Sequence, residues 1–394
     1  MILHLPLFCV CYDYNFRKGK ATRFVFVDGY MKTELGSLTS IKTGKLDANA
    51  SSENGIYPFF TCAVEPLKID SYSYDCECVL VAGNGDLNVK YYNGKFDAYQ
   101  RTYIIESKDK SKLTVPYLYY FLESYIETLR SQSIGGIIKY IKIGNLTNAS
   151  IPILSIEKQN KIVKTLDKAK SIITHLRIQL EKLDLLVKAR FVEMFGDVIN
   201  NTKRWKIYLF SEITISRLGK MLDKKSQTGK SKLPYLANFN VQWFQFKLDN
   251  LNMMDFNEKE QIEFSLEDDD LLVCEGGEIG RCAIWHNEIT PCYFQKALHR
   301  VRCNKSIIIP IYLAWWFKFN CDNNGFSEIE GAKATIAHLP GAKLKKLPIA
   351  VPPLTLQNQF ADFVKQVDKS KSILQQELDK AQMLFDSLMQ EYFG

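Results

Sequence analysis

The feature that most constrains this chain is a stretch near its middle, residues 157–195, which contains neither glycine nor proline. Its apolar residues recur at alternating steps of four and three, the seven-residue repeat of a helix that packs along one seam against another helix. A helix of this length would extend about 58 Å, too far for one element of a compact core. The stretch therefore predicts a spacer helix whose seam is Ile162, Leu166, Ala169, Ile173, Leu176, Leu180, Leu183 and Val187.

A second stretch, residues 357–392, has the same pattern and supplies the partner helix. Residues 166–172 match residues 367–373 at an offset of 201, whereas the Phe-Gly pairs at 195–196 and 393–394 are offset by 198. Two unrelated amphipathic helices are the alternative, but matches at both ends favour an internal duplication. Apart from Lys371, the predicted seam of this helix is apolar: Phe360, Val364, Val367, Leu374, Leu378, Ala381, Phe385, Leu388 and Tyr392.

The residues before each long helix follow one order in both halves of the chain. An apolar strand leads into a glycine-rich turn, further strands, a helix and a proline-marked turn. The strand and helix fall at residues 78–82 and 116–129 in the first half, and at 271–274 and 310–319 in the second. The predicted segments are an N-terminal extension or misplaced start (1–30), a first domain (31–151), a central helical spacer (152–197), a second domain (198–348) and a C-terminal helical spacer (349–394).

Composition limits the class of protein. A chain of 394 residues with 46% hydrophobic residues can bury more than one core, and its net charge of +7 is compatible with nucleic acid without requiring it. The ten cysteines include two C-x-C pairs but no paired C-x-x-C, and the histidines lack zinc-finger spacing, so we predict no metal site. Buried thiols in a reducing cytosol fit this usage. The N-terminal apolar run is short and lacks a basic start, which argues against a signal peptide and favours a cytoplasmic location.

Sequence motifs of catalysis are missing. The chain has no G-x-x-x-x-G-K-[ST] phosphate loop, no Asn-Pro-Pro-aromatic or Asp-Pro-Pro-aromatic segment to grip an extruded adenine, and no glycine-rich methyl-donor loop. The glycines at 83–85 and 276–280 lead into strands and not into helices, which disfavours a phosphate site. The acidic run at 267–270 is interpreted as a solvated turn in preference to a nuclease cluster. We therefore predict a chain without a catalytic centre.

Candidate DNA contacts are residues whose side chains can pair with base edges or phosphates and that lie at strand ends or in loops. Each is also compatible with ordinary solvated surface, and Tyr91, Tyr92, Trp243 and Phe244 are compatible with either base stacking or core packing. The candidates are Asn84, Asn88, Lys90, Gln100, Arg101, Lys139, Lys220, Lys224, Lys225, Arg281, Gln295, Lys296, Arg300 and Lys333.

Residues 31–394 resemble the specificity (S) subunits of type I restriction–modification systems. The resemblance rests on the helix starts at 151–159 and 351–359, on the segment 271–285, and on the terminal Phe-Gly of both helices. The first helix start departs from the pattern, with Ile153 where the second has Pro353.

The resemblance implies an α+β fold of two similar target-recognition domains, each a mixed β-sheet with short helices, separated by two long antiparallel helices with a pseudo-two-fold internal repeat. It implies a non-catalytic subunit that places two adenine methyltransferase (M) subunits and endonuclease/translocase (R) subunits on double-stranded DNA. S-adenosylmethionine, ATP and Mg2+ are expected on those partners, with no cofactor bound by this chain.

The duplicated helices suggest a ruler. Two different domains on a fixed frame would read two short sequences separated by an unread gap, a bipartite and asymmetric site. Two alternatives stay open: a specificity subunit of another methyltransferase–nuclease system on the same scaffold, and a protein scaffold with two binding heads that reads no DNA. Phe191, Met194 and Phe195 could receive a helix from a partner chain or cap the helix pair internally.

Overall fold

The computed structural model describes residues 10–15, 20–27, 30–223, 229–327 and 338–394, with side chains from Lys32 onward. The chain forms two compact units, one of Met1–Arg177 with Gln376–Gly394 (unit 1) and one of Ile178–Gln375 (unit 2). The unit boundaries therefore fall inside both long helices, whereas the sequence-based division treated each helix as a segment of its own. The reason is packing: Leu166 is buried in a core of unit 1, and Phe191 in a core of unit 2.

In its described residues, unit 1 contains two sheets and four short α-helices before the first long helix. The helices are α1 (Leu35–Leu38), α2 (Val115–Ser124), α3 (Ile126–Gln132) and α4 (Ile143–Thr147). The strands are β1 (Val10–Asn15), β2 (Lys20–Val27), β3 (Tyr30–Glu34), β4 (Thr39–Thr43), β5 (Tyr57–Phe60), β6 (Leu67–Ile69), β7 (Tyr74–Ala82), β8 (Val89–Ala98), β9 (Thr102–Ser107) and β10 (Ser150–Ile153).

The larger sheet of unit 1 has the order β4-β9-β7-β8-β5-β6, with β5 parallel to β8 and the other pairs antiparallel. Strand β8 runs unbroken through Asn93 and Gly94, because both residues pair with β7 opposite Glu77 and Cys76. The predicted helix at 116–129 is divided at Tyr125 into α2 and α3. Helix α2 packs Tyr117 and Phe121 into the core.

The N-terminal extension is not separate from the fold. Strands β1, β2 and β3 pair in an antiparallel sheet, and β3 pairs with β10 just before the first long helix, with Thr33 opposite Ile151. Tyr30 already belongs to β3, so the first domain begins at or before the predicted residue 31.

Unit 2 contains several small sheets, of order β12-β20-β17-β18, β16-β13-β19, β11-β21 and β14-β15. Its short helices are α6 (Phe210–Ile213), α7 (Glu258–Phe264), α8 (Pro310–Asp322) and α9 (Gly341–Leu344). Its strands are β11 (Lys206–Leu209), β12 (Thr214–Leu218), β13 (Lys232–Leu236), β14 (Val241–Gln242), β15 (Gln245–Phe246), β16 (Asn252–Asp255), β17 (Leu271–Cys274), β18 (Cys282–Ile284), β19 (Tyr293–Phe294), β20 (Leu298–Cys303) and β21 (Pro348–Val351).

The long helices α5 (Ile156–Phe195) and α10 (Leu354–Phe393) are both 40 residues long, so their equivalent positions differ by 198 throughout. The offset of 201 seen in residues 166–172 and 367–373 is therefore not the structural one. A seam with alternating steps of three and four can match itself after a three-residue shift, which explains the error. Within unit 2, Asp184 pairs with Lys371 and Phe191 packs on Phe360, so the two helices run antiparallel.

Every predicted seam position lies buried or half-buried in the structure. Within unit 1, Ile162 and Leu166 share a core with Met389 and Phe393, and within unit 2, Val187 shares one with Val364. The polar position Lys371 forms an ion pair with Asp184, which keeps its charge compensated at the helix interface.

The C-terminal end of α5 packs into the hydrophobic core of unit 2. Phe191 and Phe195 pack on Tyr312 with ring centroids 5.9 Å and 4.9 Å away. Met194 is buried in the same core, so the internal capping role applies to all three residues considered from the sequence.

Both long helices are attached to their globular parts by a buried glutamine. The Gln159 side-chain amide donates to the Lys112 and Leu154 carbonyls at 2.8 Å and 3.0 Å, and its oxygen accepts from the Thr114 N–H at 2.9 Å. The Gln357 amide donates to the Ile307 and Pro352 carbonyls at 3.0 Å and 2.7 Å, and its oxygen accepts from the Ile309 N–H at 3.0 Å. Comparing the helix starts by their prolines had placed Gln159 against Gln359. The hydrogen bonds place it against Gln357.

Candidate nucleic-acid interface

One edge of unit 1 is assembled from three segments distant in sequence. The turn after β7 donates from the Gly83 N–H to the Arg101 carbonyl at 2.7 Å, and the Gly83 carbonyl accepts from the Ile141 N–H at 2.9 Å. The Gly85 N–H donates to the Lys139 carbonyl at 2.9 Å. These bonds unite residues 83–90, 99–101 and 134–142, which we call the unit 1 edge. It contains all six candidates predicted in the first domain: Asn84, Asn88, Lys90, Gln100, Arg101 and Lys139.

The six candidates differ in how their side chains are used. The Asn88 amide donates to the Cys62 carbonyl at 2.8 Å, and the Lys90 ammonium donates to the Asn88 side-chain oxygen. Burial lowers the pKa of Lys90, since desolvation disfavours its charged form. Gln100 and Arg101 are exposed to solvent, as is Lys139. The exposed members can reach a ligand directly, whereas Asn88 and Lys90 stabilise the edge.

Unit 2 repeats this edge with different side chains. The Glu275 N–H donates to the Ala297 carbonyl at 2.9 Å, and the Glu275 carbonyl accepts from the Leu339 N–H at 2.6 Å. In unit 1 the Tyr103 hydroxyl donates to the Ile141 carbonyl at 3.0 Å, and in unit 2 the His299 Nε2 bonds the Leu339 carbonyl at 2.9 Å. Residues 275–281, 295–297 and 338–339 therefore form the equivalent unit 2 edge.

Lys220 is a structural residue, contrary to the sequence-based prediction of a DNA contact. Its side chain is buried, and the ammonium donates to the Asp255 carbonyl at 2.6 Å and to the Glu260 carboxylate at 2.5 Å. Burial acts to raise the pKa of Glu260, but the hydrogen bonds from Lys220 and from the Asn257 N–H, together with the charge of Lys220, hold that pKa below its usual value. An ammonium so engaged is not available to a phosphate without breaking both contacts.

Arg300 and Arg281 are also held internally. The Arg300 guanidinium donates to the Glu263 and Ser265 carbonyls at 3.1 Å and 2.6 Å. Arg281 donates to the backbone and side-chain oxygens of Asn238 at 3.1 Å and 2.8 Å. Both were predicted to contact DNA, and both instead tie strands to neighbouring loops, because their guanidinium groups reach carbonyl oxygens that the sequence does not reveal.

A groove of about 810 Å³ adjoins the unit 2 edge. Lys296 is exposed at its rim, and the remaining candidate in this region, Gln295, is half-buried beside it. Lys224 and Lys225 follow the groove residue Asp223 in sequence but lie outside the described residues, as does Lys333. The groove carries both signs of charge, with Arg217, Lys220, Asp223, Glu260, Glu263, Lys296, His299 and Lys345 among its lining residues.

The acidic run at 267–270 is only partly a solvated turn. Asp270 is buried and receives two hydrogen bonds from Arg302, at 2.7 Å and 3.1 Å, so it anchors β20. Asp268, Asp269 and His286 bring potential ligand atoms within 4.8 Å of one another. Asp269 pairs with Lys305, and the Asp268 carboxylate lies 3.3 Å from His286 Nδ1, so each member of the cluster has a polar partner within the chain.

The aromatic candidates are engaged in packing. Phe244 stacks on Trp315 with ring centroids 4.5 Å apart, and the Trp243 indole donates to Glu278 at 2.8 Å. The Tyr91 hydroxyl donates to Glu77 at 2.8 Å, and Tyr92 packs on Phe60. All four rings therefore have partners within the chain, and Tyr91 and Phe244 are at the same time 40% and 37% exposed.

Three exposed residues of the unit 1 edge, Ile137, Ile138 and Lys142, were not predicted from the sequence. The sequence signal for them is the Gly135-Gly136 pair, which marks a turn and so indicates that the residues after it lie at the surface.

Comparison with known proteins identifies the family. The family model described as the type I restriction modification DNA specificity domain matches residues 28–182 and 202–383, one match in each half of the chain. Since these matches cover well over half of the sequence, the chain belongs to this family.

Two relatives illustrate the range of similarity. The chain is 37% identical over 175 residues to the type I restriction enzyme EcoDI specificity subunit of Escherichia coli, a match that covers 44% of this chain and 39% of that protein. It is 22% identical over 309 residues to a putative type I restriction enzyme specificity subunit, S.HindORF215P, of Haemophilus influenzae, a match that covers 75% of this chain and 76% of that protein. The chain thus matches well under half the length of the first relative.

Solved structures agree on the fold. The type I restriction–modification S subunit from M. genitalium superposes with a TM-score of 0.58 at 17% identity, covering 93% of this chain and 96% of that one. A structure described as the basis of complex assembly and conformational transition of the type I R-M system superposes with a TM-score of 0.58 at 13% identity, covering 93% of this chain and 98% of that one. At these identities the likeness shows the α+β fold with its internal repeat. Among the described helices, none combines the length and apolarity that a bilayer span requires.

Proposed function

We propose that this chain is the non-catalytic subunit that gives a type I restriction–modification complex its DNA sequence specificity, by reading a bipartite, asymmetric site. The observation that supports it best is the repeated edge. Gln100 and Lys296 occupy equivalent positions in the two copies. The Gln100 N–H donates to the carbonyl of Leu46, which forms a β-bridge with Tyr99. The Lys296 N–H donates to the carbonyl of Lys220, which forms a β-bridge with Gln295. An amide in one copy and an ammonium in the other offer different hydrogen-bond partners to DNA.

The divergence extends along the edge. Asn84 in unit 1 and Gly276 in unit 2 hold the same position, because Asn84 bridges Tyr140 and Gly276 bridges His338. Tyr103 and His299 are another unlike pair with equivalent carbonyl partners. A conserved framework with unlike side chains is what two readers of two different short sequences require.

The proposed partners are two methyltransferase subunits, with endonuclease/translocase subunits in the full complex. Support comes from exposed apolar pairs on the long helices, which lie off the seam. Leu185 and Leu186 are 63% and 47% exposed in unit 2, and Met383 and Leu384 are 64% and 57% exposed in unit 1. The two pairs are separated by 198 residues, so they are equivalent in the internal repeat. Two equivalent apolar patches suit two copies of one partner.

The proposal assigns the chemistry to the partners. S-adenosylmethionine, ATP and Mg2+ would be bound by the methyltransferase and endonuclease subunits, and the assembly would work on DNA in the cytoplasm.

DNA retention by the chain in complex with its methyltransferase partner tests the proposal. Affinity for genomic fragments should depend on sequence and fall steeply with salt, because phosphate contacts release counterions. Replacing exposed Arg101 or Lys296 by glutamine should weaken retention and lower the salt slope by about one unit each. Lys182, exposed on α5, provides a matched control. Binding of the methyltransferase without sequence-selective DNA retention would instead support the protein-scaffold alternative.

A further inference from the structure

The unit 1 edge presents an apolar tip. Ile137 is 105% exposed relative to an extended reference, and Ile138 is 63% exposed. Two adjacent exposed isoleucines at the end of a loop cost solvation free energy in the isolated chain, and exposed apolar clusters of this kind commonly mark an interaction site. The exposed neighbours Gln100, Arg101 and Lys139 are polar, so the tip stands among polar side chains at the surface.

The tip is held in place by the backbone. The Ile134 N–H donates to the Tyr140 carbonyl at 3.0 Å, and the Tyr140 N–H donates to the Ile134 carbonyl at 2.8 Å. Gly135 has φ +117°, and a Cβ there would lie 2.7 Å from the Ile138 carbonyl oxygen, so this turn needs glycine. A tip fixed in this way loses little conformational entropy on binding.

Positive charge lies close to the tip in the chain. Lys139 follows it directly and Lys142 comes three residues later, both exposed, and Arg101 is exposed on the adjoining segment. The nearby Asp86 carboxylate pairs with Arg130 at 3.1 Å, which compensates its negative charge. An apolar tip with cations next to it is complementary to duplex DNA, where phosphates border base surfaces and thymine methyl groups.

We propose that the Ile137–Ile138 tip enters a groove of the DNA and packs both side chains against bases of one half-site, while Lys139 and Lys142 contact phosphates on either side. The inference rests on the proposed function of the unit 1 edge and adds an apolar component to its reading of sequence. The polar side chains considered from the sequence are then only part of the recognition surface.

The test uses the chain in complex with its methyltransferase partner and two labelled duplexes, one with the genomic motif that the complex modifies and one with that motif scrambled. The variants are Ile137→Ser with Ile138→Ser, Lys139→Gln with Lys142→Gln, and the control Ile56→Ser. Ile56 is 78% exposed in unit 1 but lies outside the edge. Because all the substituted side chains are exposed, folding should be retained, which circular dichroism verifies.

The isoleucine variant should weaken motif binding by at least about fivefold, the lower range for loss of a base contact, and leave scrambled-duplex binding unchanged. The lysine variant should weaken binding to both duplexes, and Ile56→Ser should weaken neither. Motif affinity that falls less than this in the isoleucine variant, or that falls equally for both duplexes, would overturn the inference. Loss of methyltransferase binding with DNA affinity intact would overturn it too, by assigning the tip to a protein partner. A wild-type complex with no motif preference would instead refute the proposed function itself.

Discussion

Gln159 and Gln357 make the same set of hydrogen bonds at the starts of two different helices. Each accepts from one backbone N–H and donates to two backbone carbonyls, and neither is accessible to solvent. The contacted residues correspond in both copies, Thr114 to Ile309 at an offset of 195 and Leu154 to Pro352 at an offset of 198. The hydrogen bonds that attach each long helix to its globular part are therefore the same in both copies, while the side chains of the unit 1 and unit 2 edges differ.

Replacing Gln357 by alanine should destabilise unit 2. The change leaves the Ile309 N–H and the Ile307 carbonyl without their partner, and buried unpaired groups of this kind together cost about 2–4 kcal/mol. All five tryptophans lie within residues 178–375, so tryptophan fluorescence during urea unfolding reports on this unit. Gln359→Ala is the matched control, since Gln359 is exposed and should change the free energy of unfolding by less than about 0.5 kcal/mol. Equal changes in the free energy of unfolding for the two variants would contradict the role of Gln357 in attaching the helix.

His299 should make unit 2 less stable in acid. Burial lowers the pKa of His299 below the usual 6.5, with the Leu339 carbonyl and then Glu275 acting in the opposite direction. Above about pH 6.5 the imidazole is neutral in both the folded and the unfolded chain, so its contribution to the stability of unit 2 is fully present. Below that value the unfolded chain binds the proton first, so stability falls as pH drops towards the folded-state pKa.

The measurement is urea unfolding at neutral pH and near pH 5.5, followed by tryptophan fluorescence. His299→Gln should reduce the loss of stability by up to about 1.4 kcal/mol per pH unit below 6.5. A pH dependence that is the same in the wild type and in His299→Gln would show that His299 is not the group responsible.

The apolar pairs on the long helices should bind one methyltransferase subunit each. Glutamate at Leu185 and Leu186 places charge in a contact that excludes water, and the same change at Met383 and Leu384 affects the equivalent patch. Mass measurement of the reconstituted complex should give one bound partner for either variant and none for the combination. Lys182→Glu is the surface control. Two partners retained in the combined variant would locate the docking surface elsewhere.

Lengthening both long helices by one heptad should lengthen the unread gap of the DNA site. Seven residues add about 10 Å to a helix, or roughly three base pairs at 3.4 Å each, and insertions near residues 178 and 375 preserve the heptad seam. Mapping of modified adenines should recover both half-sites unchanged with a longer gap. Unchanged gap length in a folded, active variant would remove the ruler interpretation.

The sequence predicted the features that recur at regular spacing along the chain. The seam from Ile162 to Val187 and the division into two similar halves follow from local patterns of apolar residues, and local patterns survive in the fold. The register between the copies was wrong, because a seam with three- and four-residue steps matches itself after a short shift. The burial of polar groups was also unpredictable: Lys220 and Asp270 look like surface residues until Glu260 and Arg302 are brought to them from distant segments.

The edge could be predicted only in outline. Asn84, Arg101 and Lys139 were selected one by one for their chemistry, and the structure supplies the reason they belong together, a set of backbone hydrogen bonds around Gly83 and Gly85. Ile137 was missed because a search for DNA contacts favours polar residues. The apolar tip appears only once the loop is seen to be exposed on that edge.

The most direct test of the central claim is to co-express the chain with its methyltransferase partner and map modified adenines across the host genome. We expect a single motif of two short, different half-sites separated by a fixed unread gap, and exchange of residues 35–150 for those of a relative should change only one half-site. A contiguous motif, or methylation with no motif at all, would contradict it.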